Sequence, residues 1–175
     1  MAEARTFVGV GSSVEPEVHV PRALARLADV VGLRGVSTFY RTPALGRPSD
    51  PPFVNGVVEL RGALPPAELQ ALLHRIEDAE GRRRGADRFA PRPIDLDLLL
   101  HGDAVSASPE LPHPDVARRR FVAVPLLELA PELVLPGSGA RLADLARELP
   151  PYPMEPLPDL SRALERRFVD GRRPR

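Results

Sequence analysis

Ile94-Asp95-Leu96-Asp97-Leu98-Leu99-Leu100 is the stretch on which the reading of this chain turns. It reads as a strand. Successive side chains on a strand alternate between faces, so Asp95 and Asp97 share one face, roughly 7 Å apart. Ile94, Leu96 and Leu98 then point the other way, into a core. Working outward, Thr6–Val10 is β-rich and ends at Gly11-Ser12-Ser13, which predicts a first strand and a tight turn. Pro21 opens a helical pattern with Leu24, Leu27, Ala28 and Val31 at i, i+3, i+4 and i+7, and Gly32 is its stop. Gly35–Arg41 predicts a second strand and Phe53–Leu60 a third, with Gly56 as a weak spot or bulge. Thr42–Pro52 between them holds Pro43, Gly46, Pro48, Pro51 and Pro52 and predicts a stiff loop. Pro65 and Pro66 begin a second helix that buries Leu69, Leu72, Leu73 and Ile76 and ends at Gly81.

The quoted strand therefore closes a β-α-β-β-α-β order. That order predicts an α+β fold, a ferredoxin-like sandwich with a mostly antiparallel sheet, helices on one face and the active site on the other. Further on, Ala104–Val105 suggests an edge strand, and Pro125–Leu129 a short helix with proline in its first turn. Residues 1–149 are expected to form one domain. From Pro150 the prolines crowd together, and residues 150–175 are expected to be a Pro/Arg-rich tail, partly disordered or docked. Leu160–Phe168 has room for one or two helical turns, and Gly171–Arg175 reads as disordered.

Composition narrows the function classes. The 175 residues are 43% hydrophobic and 27% charged, as in ordinary globular proteins. No apolar run reaches the roughly 18 residues of a membrane span. Met1–Arg5 carries Glu3 and runs straight into a strand, unlike a secretory signal. The absence of cysteine excludes disulfides, thiolate metal sites and a cysteine nucleophile. Formal net charge is zero, so neither nucleic acid nor membrane is an expected partner. The cytoplasm is the default location. All 24 basic residues are arginine. No G-x-x-x-x-G-K-[ST] occurs, which excludes a Walker-type nucleotide site. Any phosphate must be held by guanidinium groups.

Two carboxylates on one strand face repel each other unless a cation lies between them. Magnesium takes one or two carboxylates together with substrate phosphates. Taken alone, D-x-D also suits a solvated edge strand. The preceding loop shifts the balance: Arg82, Arg83, Arg84, Arg88 and Arg92 fall within eleven residues, and a triphosphate is the natural counter-anion for such a cluster. Arginines beside paired acids point to phosphoryl transfer. His113, ahead of Arg118-Arg119-Arg120, is either structural or a further phosphate donor. Phe53 and Asn55 share a strand face, and Phe121 follows the second arginine cluster. Two phenyl rings can clamp a flat heterocycle while an asparagine reads its amide-like edge, although each ring alone also suits a core.

These pieces together resemble the 6-hydroxymethyl-7,8-dihydropterin pyrophosphokinase family, from about Phe7 to about Pro136. The strongest element is Arg88-Phe89-Ala90-Pro91-Arg92-Pro93-Ile94-Asp95-Leu96-Asp97-Leu98-Leu99, which resembles the family signature of Pro-Arg followed by D-[LIV]-D. Gly11-Ser12, Phe39-Tyr40-Arg41-Thr42-Pro43, Leu45-Gly46, Phe53-Val54-Asn55, Arg75-Ile76-Glu77, Pro112-His113 and Leu129-Ala130-Pro131 support it in order. The resemblance implies that Asp95 and Asp97 hold two magnesium ions bridging the phosphates of ATP, the co-substrate. It implies that Arg82 and Arg92 stabilise the diphosphate in transfer, and that Arg84, His113 and Arg119 touch ATP with Glu77 placing the nucleotide. Thr42, Leu45, Phe53, Asn55 and Phe121 would form the pterin pocket. The pterin hydroxymethyl would attack the β-phosphorus and release AMP, a step of folate biosynthesis. Ser13, Phe53, Phe89 and Pro114 depart from the residues usual in the family. A monomer is expected, with a weak dimer as the alternative. Two other readings compete: a non-catalytic RNA-binding module on a ferredoxin-like sheet, and a metal-dependent phosphohydrolase. The first sits badly with acids on the sheet face.

Overall fold

The computed structural model describes residues 4–62, 64–83, 85, 87 and 90–171. Strand β1 (Thr6–Ser12) runs between β4 (Phe53–Leu60) and β5 (Asp95–His101), antiparallel to both. Beyond β4 lie β2 (Leu33–Val36) and β3 (Tyr40–Thr42), and β8 (Glu155–Pro156) adds to β3. The order is β5-β1-β4-β3-β8, with β2 also pairing β4. Helices α1 (Pro16–Val31), α2 (Pro66–Ala79), α3 (Arg120–Leu129), α4 (Leu142–Glu148) and α5 (Pro158–Glu165) complete an α+β architecture. A separate small hairpin joins β6 (Ser106–Ala107) to β7 (Glu110–Leu111). None of the described helices is long and apolar enough to cross a membrane.

The strand alternation sorts the side chains as the sequence predicts. Val8, Val10, Val54, Val58, Leu96 and Leu98 face one side, where they bury the apolar stripes of α1 and α2. On the other face Phe7, Val57 and Leu99 pack with Val116, Ala123, Leu126 and Leu142. Helices α3 and α4 therefore cover half of the face expected to be free of helices. The uncovered half carries Gly9, Gly11, Phe53, Asn55, Asp95 and Asp97. Glu59 on the covered half is neutralised by a two-pronged pair with Arg5, at 2.8 and 2.9 Å.

Several boundaries differ from the sequence expectation, each for a local reason. Helix α1 starts at Pro16, not Pro21, which lies inside it. Its first five residues contribute only Val20 to the core, so the apolar period conceals them. The expected single strand Gly35–Arg41 is split. Val36 pairs Val58 and Tyr40 pairs Asn55, so residues 37–39 oppose only 56–57, as in a bulge. Ser37 closes the gap by bonding Val57 through both its N–H and its hydroxyl, each at 2.9 Å. The bulge turns Phe39 over Gly56: a Cβ there would lie 2.6 Å from the ring, so only glycine fits. Pro125 lies inside α3, not in its first turn, because Arg119 caps the helix six residues earlier and its carbonyl takes the Ala123 N–H at 2.9 Å. The predicted edge strand at Ala104–Val105 is replaced by the β6–β7 hairpin, and Val105 is exposed.

Residues 150–171 lie against the sheet. Tyr40 pairs with Pro156, and the Leu157 N–H donates to the Phe39 carbonyl at 2.8 Å. The Phe39 N–H donates to Ser161 Oγ at 2.8 Å. Leu164 of α5 and Phe168 of the following π turn (Arg166–Asp170) join the core under α1. Residues 172–175 of the expected disordered end lie outside the described residues.

Candidate active site

The acid pair is placed by β5, whose Leu96 and Leu98 are pinned in the core and so force Asp95 and Asp97 onto the open face. Behind them Glu77 of α2 is buried, and its Oε2 accepts the Leu96 N–H at 3.1 Å. The same oxygen pairs with Arg82 Nη1. Arg82 Nη1 also donates to Asp95 Oδ1 at 2.9 Å, and Arg92 Nη1 to Asp95 Oδ2 at 3.0 Å. Both oxygens of Asp95 are thus bridged to guanidinium groups from the two ends of the arginine-rich loop. Gly81, at φ +88°, ends α2 and turns the chain into that loop.

Ser13 holds the far end of the loop. Its N–H donates to the Arg92 carbonyl and its hydroxyl accepts the Arg92 N–H, both at 2.9 Å. This two-way bond fixes the Arg92 backbone against the end of β1. The serine's role is not legible from the Gly11-Ser12-Ser13 turn alone, because its partner is 79 residues away.

Asp97 lies deep in the concavity, yet water reaches it: its side chain is 42% exposed. The protein enclosing it pushes its pKa well up, and the Asp95, Glu77 and Asp115 carboxylates add to the effect more strongly than Arg82 opposes it. Burial likewise pushes Glu77 up to about 7, against the Leu96 N–H and Arg82, which favour its anion. His113 Nδ1 accepts the Asp115 N–H at 3.1 Å, which leaves the proton of a neutral ring on Nε2, 4.0 Å from Asp97 Oδ1.

Two cavities meet at the acids. The first is lined by Thr42, Pro43, Leu45, Phe53, Asn55, Phe121 and Val122, with Gly9 and Gly11 on its floor. The second is lined by Gln70, His74, Glu77, Arg82, Leu96, Pro109 and His113. Arg92, Asp95 and Asp97 belong to both. In the first cavity Asn55 Nδ2 donates to Thr42 Oγ1 at 2.8 Å. Asn55 Oδ1 lies over Gly11, where an added Cβ would come within 2.9 Å.

Residues 7–131 match the family described as 7,8-dihydro-6-hydroxymethylpterin-pyrophosphokinase (HPPK). The chain belongs to this family. It is 38% identical over 166 residues to a 2-amino-4-hydroxy-6-hydroxymethyldihydropteridine pyrophosphokinase of Synechocystis, covering 90% of this chain and 84% of the relative. A Pseudomonas aeruginosa protein of the same description is 38% identical over 159 residues, covering 88% and 97%. A third, from Porphyromonas gingivalis, is 40% identical over 137 residues, covering 74% and 93%. No match supports the alternative of an RNA-binding module.

Within this HPPK frame the structure brings most of the sequence-derived site together. Thr42, Leu45, Phe53, Asn55 and Phe121 come from β3, its following loop, β4 and α3, yet line one cavity. Glu77, Arg82, Arg92 and His113 meet in the other. Arg119, expected with them, lines the first cavity instead, with Nε 3.7 Å from Asp115 Oδ1. Arg84 and Phe89 lie outside the described residues. Glu77 is committed to Leu96 and Arg82, so its carboxylate acts on the loop. Sequence reasoning missed Ser13 as a loop anchor, Asp115 as the residue that orients His113, and Tyr152. The scarcity of tyrosine, two in the chain, was the one signal for the last.

Proposed function

We infer that the chain transfers the diphosphate of ATP to the hydroxymethyl group of 6-hydroxymethyl-7,8-dihydropterin and releases AMP, in folate biosynthesis. One observation carries this reading: Asp95 and Asp97 form a wall common to two cavities of different chemistry. One cavity has rings and an amide for a flat heterocycle; the other has arginines and a histidine for phosphates. A group passing from one substrate to the other must cross that wall.

In this reading the pterin lies between Phe53 and Phe121. Asn55, whose NH2 is engaged by Thr42, offers its Oδ1 to a ring N–H. The hydroxymethyl oxygen attacks the β-phosphorus of ATP in line. The bond from that phosphorus to the α–β bridging oxygen breaks, and AMP departs. Arg82 and Arg92, held on Asp95 here, meet phosphate oxygens of the same two-pronged geometry, and His113 donates from Nε2. Arg84 adds a further ATP contact, Arg119 would meet ATP from the first cavity, which it lines, and Glu77 places the nucleotide through the arginine loop.

The donor set fits a hard divalent cation: carboxylate oxygens, no thiol, and an Asp97 whose pKa is raised first by burial and then by neighbouring carboxylates, whose charge a cation would offset. Asp95 and Asp97 would hold magnesium, two ions in all. When bound, the metal supplies charge neutralisation for the phosphates and a template for in-line displacement. The antiparallel β5-β1-β4-β3 order supports a ferredoxin-like description of the frame. We place the enzyme in the cytoplasm as a monomer, with no nucleic-acid partner.

The test supplies ATP, magnesium and the reduced hydroxymethylpterin and separates the nucleotide products. Pterin-dependent AMP is the expected result. ADP as the sole nucleotide product overturns diphosphate transfer, and free diphosphate without a pterin requirement turns the reading to hydrolysis.

A further inference from the structure

Tyr152 lies in the proline-rich segment beyond the residues that the family match covers. Its ring meets that of Phe121 with centroids 5.6 Å apart and 52° between planes, a tilted arrangement that aromatic quadrupoles favour. Its hydroxyl donates to the Pro43 carbonyl at 2.8 Å. Phe121 belongs to α3 and Pro43 to the loop after β3, and both line the first cavity. Tyr152 touches both without being among the residues that line the cavity. The tyrosine is itself held from its C-terminal side. Glu155 pairs with Arg41 at 3.1 Å, and β8 adds to β3 three residues after Tyr152.

We propose that Tyr152 is a positioning residue of the pterin pocket, holding the Phe121 ring and the Pro43 turn at a fixed separation. The proposal rests on reading the first cavity as the pterin site. A ring locked in place before binding loses less freedom when a flat heterocycle arrives, so affinity for the heterocycle rises without a new contact. The phosphate-side residues Arg82 and His113 line only the second cavity and feel no such strut. The C-terminal segment thereby acts on the substrate site through Tyr152, which does not itself line the first cavity.

The test compares Tyr152→Ala and Tyr152→Phe in the full chain, alone and with Phe121→Ala, by steady-state kinetics in both substrates. Tyr152→Ala should raise the pterin KM about fivefold to tenfold, the worth of one aromatic pair, and leave the ATP KM within about twofold. Tyr152→Phe keeps the ring and should restore most of the affinity. In the Phe121→Ala background, Tyr152→Ala should add little, because both changes disable one unit. A pterin KM unchanged in folded Tyr152→Ala overturns the proposal. So does an equal rise in both KM values, or full additivity with Phe121→Ala. Should Tyr152→Ala not fold, Tyr152→Leu, which fills the space without an aromatic face, carries the same outcomes. A wild-type chain that makes no pterin-dependent AMP defeats the functional reading itself and the strut with it. An active wild type with an indifferent Tyr152 defeats the strut alone.

Discussion

Glu77 Oε2 accepts the N–H of Leu96, the residue between the two aspartates, at 3.1 Å. One carboxylate of α2 thus fixes the backbone of the acid-bearing strand, and through Arg82 it fixes the loop that follows the helix. Glu77→Gln keeps an acceptor for Leu96, whereas Glu77→Ala leaves that N–H without its partner in a buried setting. An orphaned buried donor costs about 1–3 kcal/mol. We expect Glu77→Ala to lower kcat/KM at least about tenfold more than Glu77→Gln does, with both variants folded. Equal loss in the two would mean that Glu77 acts by its charge alone.

Asp97 sets activity against stability. Its folded pKa is raised, so the folded chain binds this proton more tightly than the unfolded chain does. The sign follows: the stability tied to this group is greatest at low pH and falls as pH rises through the raised value. Asp97→Asn removes the crowded charge. The metal-free variant should therefore melt above wild type at neutral pH, while turnover falls by about a thousandfold or more for want of a metal ligand. Thermal melting without magnesium, set beside the AMP assay, checks both halves. A lower melting temperature in Asp97→Asn would show that the carboxylate is stabilising where it sits.

Glu80 behaves in the opposite sense. Its side chain has no exposure and bonds His19 Nδ1 and Arg26 Nε, each at 3.0 Å, with Arg22 Nε at 3.4 Å. Burial alone would raise its pKa, but those bonds and the two arginine charges lower it overall. Its stabilisation is thus present above the ordinary glutamate range and is lost as pH falls through the depressed value. Glu80→Gln should cost about 2 kcal/mol near pH 7, less than a fully buried pair because the arginines are half exposed. Urea unfolding at several pH values should find the gap to wild type closing below about pH 4.5. A gap that persists unchanged at pH 3 would remove the charge from the explanation.

Gly11 tests the pterin pocket from its floor. An alanine Cβ there would lie 2.9 Å from Asn55 Oδ1, so the amide must move or rotate away from Thr42. Gly11→Ala should raise the pterin KM about tenfold, as expected for one disturbed polar contact, with little change for ATP. In an Asn55→Ala background the same Gly11→Ala change should add little to the pterin KM if the clash is the cause; full additivity of the two changes would place it elsewhere.

Periodicity carried the frame because it is a local property. The period-two pattern of residues 94–100 and the helical spacing of Leu24–Val31 and Leu69–Ile76 put the right faces into the core. Local patterns did not locate the first turn of α1, where five of the opening residues add only Val20 to the core. Nor did they reveal the break at residues 37–39, because that break exists only against the facing strand, where Phe39 needs the bare backbone of Gly56.

By itself, the sequence determined the strand that presents Asp95 and Asp97 together, the arginines beside them and the family those motifs mark, since each depends on neighbours along the chain. Only the tertiary structure decided that both acids line two cavities, that Ser13 bonds the Arg92 backbone from 79 residues away, and that Tyr152 of the segment from Pro150 lies against the Phe121 ring. Those relationships join residues with no shared period, and only packing of the sheet, with α3 laid against it and β8 added beside β3, brings them within bonding distance.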